Sequence, residues 1–258
     1  MAYSPEYQSH TGATRAAETA AVLDAGLRAY MLRVYNWMSS GLVLTGLVAY
    51  GIASTDLINL FYPMVATPRG MMRAPGVLAY VSIFAPLAFV LVLQFGVNRL
   101  STRTAQALYW AFCVAMGASL TNIFLIYTGE SVVRVFFITA ATFGAMSLYG
   151  YTTRSDLTKM GSFLMMGLFG IIIASVVNMF VGSGALQFAI SVIGVLVFVG
   201  LTAYDTQRIK ADYVEFAYAD GSQEAAKRSV YDSLQLLLNF INLFTLLLQL
   251  LGNRNSNN

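Results

Sequence analysis

Five charged or carboxamide side chains interrupt the apolar stretch 230–251: Asp232, Gln235, Asn239, Asn242 and Gln249. Their offsets of 3, 4, 3 and 7 residues place them on one stripe of an α-helix, which advances about 100° per residue. The rest of the stretch is mostly Leu, Ile and Phe. Carboxamides and a carboxylate facing hydrocarbon would lose several kcal/mol in unpaired groups. The stripe is therefore expected to face other helices or a water-filled cavity. Two uses fit it: hydrogen-bonding glue between helices, worth about 0.6 kcal/mol per bond, or the lining of a path for a solute or ion.

A second acid, Asp205, lies in Leu201-Thr202-Ala203-Tyr204-Asp205-Thr206-Gln207, just before Arg208 and Lys210. It either pairs with those bases at headgroup level or turns inward to the polar stripe, where it could hold a cation or a proton. Asn36, Thr121, Asn122 and Asn178 read as packing contacts, and Arg154, Asp156 and Lys159 as a solvated turn. The single cysteine, Cys113, allows neither an internal disulfide nor a thiolate metal cluster and reads as a small buried hydrophobe.

These residues support little enzymology. The only histidine is His10, near the N-terminus, so a serine–histidine intramembrane protease and a helical zinc protease both lack parts. An aspartyl protease needs two carboxylates sharing one proton. Tyr204-Asp205 supplies half of that signature, but the following apolar stretch offers Asn239 and no Gly-x-Gly-Asp. The last span has no lysine for a retinal Schiff base, and no nucleotide-binding motif is present. The expectation is a protein that is not an enzyme and holds no tightly bound cofactor. Lys and Arg sit singly between apolar runs rather than on one face, which argues against a nucleic-acid partner.

The elements that must position these residues follow from hydropathy. The chain of 258 residues is 57% hydrophobic and 10% charged, with a net charge of +3; soluble domains carry about 25% charged residues. Mean hydropathy is +0.65. The expected class is an all-α polytopic membrane protein with seven transmembrane helices, at about 34–54, 76–96, 104–127, 132–152, 161–182, 186–206 and 230–251. Residues 1–29 lack the apolar core of a signal peptide and read as a cytoplasmic tail ending in a short interfacial helix, with 30–258 as the membrane domain. With the N-terminus inside, the inner segments hold Arg15, Arg28, Arg33, Arg99, Arg103, Arg154, Lys159, Arg208, Lys210, Lys227 and Arg228. The outer segments hold Arg69, Arg73, Arg134 and Arg254. That asymmetry places the N-terminus in the cytoplasm and, with seven spans, the C-terminus outside.

Four segments resemble the Bax inhibitor family, also called the transmembrane Bax-inhibitor-motif or lifeguard family, in its bacterial branch. They are Tyr30-Met31 with Val34-Tyr35-Asn36-Trp37-Met38, then Phe143-Gly144-Ala145-Met146-Ser147-Leu148-Tyr149-Gly150-Tyr151-Thr152-Thr153 running into Arg154-Ser155-Asp156-Leu157. Phe198-Val199-Gly200-Leu201-Thr202-Ala203-Tyr204-Asp205-Thr206-Gln207 and Leu238-Asn239-Phe240-Ile241-Asn242-Leu243-Phe244 complete the match. The resemblance implies a seven-helix fold in the bacterial inner membrane, the last helix central and surrounded by the other six. It implies a pH-modulated calcium leak channel or a proton-coupled calcium conductor, with calcium and protons as the species handled. The alternative it implies is a regulatory protein that modulates a partner such as a membrane-bound protease.

The family's pH sensor is an aspartate pair. Its first member matches Asp205; the second falls on Asn239, so this sequence departs from the pattern. Two adjacent carboxylates share a proton because both cannot ionise cheaply, and Asn239 removes that repulsion. Weaker proton gating and weaker calcium binding at Asp205 are the expected consequences, since Ca²⁺ favours several charged oxygens. Asp232, Gln235 and Asn242 are candidate pathway-lining residues. Arg99 and Arg103 are candidates for the basic residue that the family sets against its acids.

Overall fold

Inside a bilayer every backbone N–H and C=O has to find its partner within the protein, and a helix does so within its own segment. The long apolar runs obey this. The computed structural model describes residues 6–67, 70–97, 99–217 and 222–255, with side chains apart from those of 6–20, 67, 216–217 and 222–224. Its helices are α1 (Glu6–Ser54), α2 (Ile58–Phe61), α3 (Val77–Gly96), α4 (Thr102–Leu120), α5 (Asn122–Ile126), α6 (Gly129–Thr152), α7 (Thr158–Val181), α8 (Gly184–Ala217) and α9 (Ser222–Leu251). Among the described residues seven stretches are long and apolar enough to cross a membrane: Ala21–Ser54, Val77–Gly96, Thr102–Ile126, Gly129–Thr152, Thr158–Val181, Gly184–Glu215 and Ala225–Leu251. The protein is an all-α polytopic membrane protein.

Three local features depart from the expected pattern. First, α1 is unbroken from Glu6, so no separate short helix ends before residue 30. The reason is periodic burial: Leu27, Tyr30, Met31 and Val34 recur at helical spacing and all enter the core. Second, the third span breaks at Thr121 between α4 and α5. At the break the Thr121 N–H turns to the Ala118 carbonyl, three residues back, and the buried Thr121 hydroxyl donates to the Gly117 carbonyl. Third, the connection after α1 carries α2 and a hairpin of β1 (Met64–Thr67) and β2 (Gly70–Arg73), antiparallel with Met64 opposite Arg73. Arg73 pins the hairpin by donating to Asn59 Oδ1 at 2.9 Å and to the Tyr62 carbonyl at 3.0 Å.

Burial ranks the spans. The apolar window of α9 is 56% buried, against at most 39% in any other span. α9 packs against α1, α4, α6 and α8, whereas α3 packs mainly on α4 and α7 mainly on α8. The last span is thus the most enclosed one, with four of the other spans as its principal neighbours. Leu234, Leu236, Leu237, Leu243 and Leu248 of α9 are almost wholly buried. Phe240 and Phe244 meet Phe136 of α6 edge-on, and Phe240 meets Phe143 in the same way.

The backbones of α6 and α8 approach closely at Gly150. A Cβ at Gly150 would lie 2.2 Å from the Ala203 carbonyl oxygen, so only glycine fits there. Gly150→Val should force the two helices apart and cost about 1–3 kcal/mol or more, as overpacking does. Gly170→Ala, whose Cβ would meet nothing within 4 Å, should leave stability unchanged. Thermal unfolding of the purified protein in one detergent compares them directly; equal melting points would contradict the close approach.

Candidate ion-pathway site

On α8 the positions Phe198, Leu201, Thr202, Asp205, Thr206 and Ile209 are all buried, the repeat of a helix face turned into the protein. Asp205 belongs to that face by register and is only 2% exposed. On α9, the 3- and 4-residue offsets carry Asp232, Gln235 and Asn239 along one line. The two faces meet at Asp205. Its Oδ2 accepts from Asn239 Nδ2 at 2.6 Å and from Gln235 Nε2 at 3.3 Å. Its Oδ1 pairs with Arg208 Nη2 at 3.0 Å. Arg208 lies one turn along α8, is 39% exposed and also reaches over the Tyr204 ring, 6.0 Å from its centroid.

The two sequence readings of Asp205 therefore hold together: it turns inward to the polar stripe, and it pairs with the base that follows it. One anion faces one cation and two amide donors, so the buried charge is compensated from two helices. The partner cation is a correction. Arg99 and Arg103 stand exposed around the connection between α3 and α4, and no contact joins either to Asp205 among the described residues. Positions i and i+3 on a helix are neighbours, so Arg208 needs no second element to reach the acid.

The other candidates separate into different places. Asp232 accepts from Tyr30 of α1 at 2.5 Å, with Arg208, Arg228 and Asp212 as the other charged groups near it. Asn242 is half-buried and its side chain takes no part in the Asp205 cluster. Gln249, at the far end of α9, accepts from Gln187 Nε2 at 2.8 Å and from Ser191 Oγ at 2.9 Å, while Asn178 Nδ2 donates to Gln187 Oε1 at 3.1 Å. The stripe thus makes an acid-centred cluster at one end and an amide network at the other.

Sequence reasoning missed the neighbours of Asp205 as a set. Tyr204 lies against Gly161 of α7, where a Cβ would be 2.3 Å from its ring. Thr206 meets Ser147 of α6 at 3.0 Å, and Ser147 in turn accepts from Tyr35 of α1 at 3.0 Å. Gln207 accepts from the Leu157 N–H and donates to the Ser155 carbonyl, both at 2.8 Å, fixing the turn before α7. In that turn the fully exposed Asp156 carboxyl is held below the usual range by the hydroxyl and N–H of Thr158.

As a metal site the cluster is sparse. No group of three or more His, Cys, Asp or Glu side chains converges among the described residues. Ca²⁺ takes about 6–8 oxygens at about 2.3–2.6 Å. Asp205 offers a carboxylate, and Asn239 and Gln235 offer carboxamide oxygens only if their amides turn over. That donor set suits brief contact with a passing cation better than tight binding.

Fold and site together define a polytopic helical membrane protein with a charge-compensated acid between its last two spans. A family model described as "Inhibitor of apoptosis-promoting Bax1" matches residues 27–256, and the chain belongs to that family, the Bax inhibitor family. The chain is 47% identical over 232 residues to the uncharacterized protein RP147 of Rickettsia prowazekii, covering 90% of this chain and 92% of the relative. It is 46% identical over 230 residues to an uncharacterized protein of Caulobacter vibrioides, covering 89% and 90%. Against the inner membrane protein YbhL of Escherichia coli K12 the identity is 43% over 231 residues, covering 89% and 94%.

Removing one partner of a compensated buried charge leaves the other exposed to a poor environment. Arg208→Gln should destabilise by about 1–2 kcal/mol, less than the ~3–5 of a fully buried pair because water reaches the guanidinium. Adding Asp205→Asn to it should restore part of the loss, giving a coupling of about 0.5–3 kcal/mol. Unfolding of the four variants in detergent measures this; additive losses would show that the pair carries no net interaction.

Proposed function

We propose that the protein is a leak pathway for calcium or a similar cation in the bacterial inner membrane, with the Asp205 cluster as its gate. The observation that carries this reading is a carboxylate 2% exposed between two spans and held by Asn239, Gln235 and Arg208. Ionisable residues at such depth are costly and mark ion or proton routes. The relative YbhL is named an inner membrane protein, which supports the location. Arg208 blocks the acid while paired with it, and a cation arriving at Oδ1 would compete with that guanidinium. Protonation of Asp205 would neutralise the acid and free Arg208, which supplies a route for pH to act.

Asn239 stands where a second acid would share a proton with Asp205, so pH dependence should be shallow across the neutral range. Asn239→Asp would place two carboxylates within hydrogen-bonding reach, since the amide nitrogen is now 2.6 Å from Oδ2. In liposomes loaded with a calcium indicator, wild type should conduct with a weak pH response, Asp205→Asn should change the flux severalfold, and Asn239→Asp should gain a steep step near neutral pH. Flux that is steeply pH-dependent in wild type, or unmoved by both substitutions, would refute the gate. Complete silence in liposomes would instead favour the regulatory reading, in which the compensated cluster is a structural latch and the protein acts through a partner such as a membrane protease.

The proposed orientation puts the N-terminus in the cytoplasm and the C-terminus outside. The native thiol, Cys113, is buried, so introduced cysteines report alone. Ser155→Cys should react with an impermeant maleimide only in inside-out vesicles, and Asn253→Cys only in right-side-out ones. The reverse pattern would invert the topology.

A further inference from the structure

α1 and α6 both pack on α8 or α9 yet leave a cleft between them, of about 520 Å³. Its walls include Leu32 and Leu42 of α1 and Ala140 and Gly144 of α6, and Phe240 of α9 lines it too. At Gly144 a Cβ would meet nothing within 4 Å, so the space continues to the helix backbone. The hydrogen bond from Tyr35 to Ser147 spans from one wall to the other. Along α1 the cleft runs from Arg28 to Leu42, which at about 1.5 Å per residue is roughly 21 Å. One leaflet of hydrocarbon is about 15 Å deep.

The ends differ in charge. At the mouth, Arg28 on the α1 side is exposed and paired with no acid among the described residues. Beside the lining residue Tyr151 of α6, Lys210 of α8 donates from Nζ to the Tyr151 carbonyl at 2.9 Å and keeps further donors, because an ammonium has three. The far end, at Leu42 and Phe136, is apolar.

We propose that this cleft binds one acyl chain of an anionic phospholipid, with its phosphate held between Arg28 and Lys210. The Tyr35–Ser147 bond that crosses the cleft argues against a peptide helix, which is about 10 Å across and could not lie past it. A hydrocarbon chain has no backbone groups to satisfy and can lie past the Tyr35–Ser147 bond. Arg28 in the lining and Lys210 next to the lining residue Tyr151 match an anionic headgroup better than a zwitterionic one. The chain would lie against Ser147, which bonds Thr206, the residue next to Asp205.

Native mass spectrometry of the full-length protein in mild detergent tests the site, with phosphatidylglycerol and phosphatidylcholine of identical chains as probes. One phosphatidylglycerol should saturate the protein, binding at least fivefold tighter than phosphatidylcholine. Arg28→Gln with Lys210→Gln should reduce it to the phosphatidylcholine level. Gly144→Trp should fill the cleft and abolish the bound lipid, with Gly144→Leu as the milder variant if the first does not fold. Gly170→Trp, on an open face elsewhere, should leave binding intact. Non-saturating binding that is equal for both lipids, or unchanged by the Gly144 variants, would reduce the lipid to an ordinary boundary layer and overturn the proposal. A dimer lost in the Gly144 variants would overturn it by making the cleft an interface between copies.

Discussion

A carboxylate removed from water must be compensated where it stands, or it costs several kcal/mol. Asp205 meets that demand with one guanidinium and two amides drawn from two helices. The geometry this imposes spreads outward. With Asp205 facing α9, its neighbours in sequence must point elsewhere, because each residue turns about 100° further round the helix. Tyr204 lies over Gly161 of α7, Thr206 reaches Ser147 of α6, and Gln207 clamps the 155–157 turn. Four consecutive residues thus bind four different parts of the fold. The close α6–α8 approach at Gly150 and Ala203 lies beside the same segment and brings Ser147 within reach.

The rest of α9 shows what the polar stripe does in this conformation. Its N-terminal end is tied to α1 by Tyr30 and Asp232 and to α8 by Asp205; its C-terminal end is tied to α8 by Gln187, Ser191 and Gln249. Between Asn239 and Gln249 the buried positions are Phe240, Ile241, Leu243, Phe244, Leu246, Leu247 and Leu248. These alternate with the half-buried Asn242 and Thr245 over about 12 Å at 1.5 Å per residue. At both ends of the helix the stripe is interhelical glue, its amides satisfied by groups of the neighbouring span.

Much of this was legible from residue types and spacing. The seven spans followed from apolar length, and the stripe followed from offsets of 3 and 4 on a helix. The two placements open to Asp205 from sequence are compatible, because Arg208 is long enough to pair with an inward acid while its head stays partly in water. The helical start of α1 was concealed by charge, since Arg15, Glu18, Asp24 and Arg28 mask the burial periodicity of Leu27, Tyr30 and Met31. The break at Thr121 and the hairpin at 64–73 come with particular hydrogen bonds of Thr121 and Arg73, which composition does not reveal. Arg99 and Arg103 were chosen by loop position, whereas the base at the acid is set by helical adjacency.

Asn239 gives the site its character. Asp205 contributes one negative charge, Arg208 one positive charge, and the two amides none, so the cluster is neutral without binding a proton. An acid at position 239 would leave an excess negative charge in the same space, and a proton or a cation would be needed to complete the balance. In this chain Arg208 already does so, and the amide donates a hydrogen bond to Oδ2 in place of a shared proton. Disturbing the cluster then means separating Asp205 from Arg208, a loss of charge compensation that two amides do not make good. That separation is eased by whatever offers the guanidinium another anion or the carboxylate another cation.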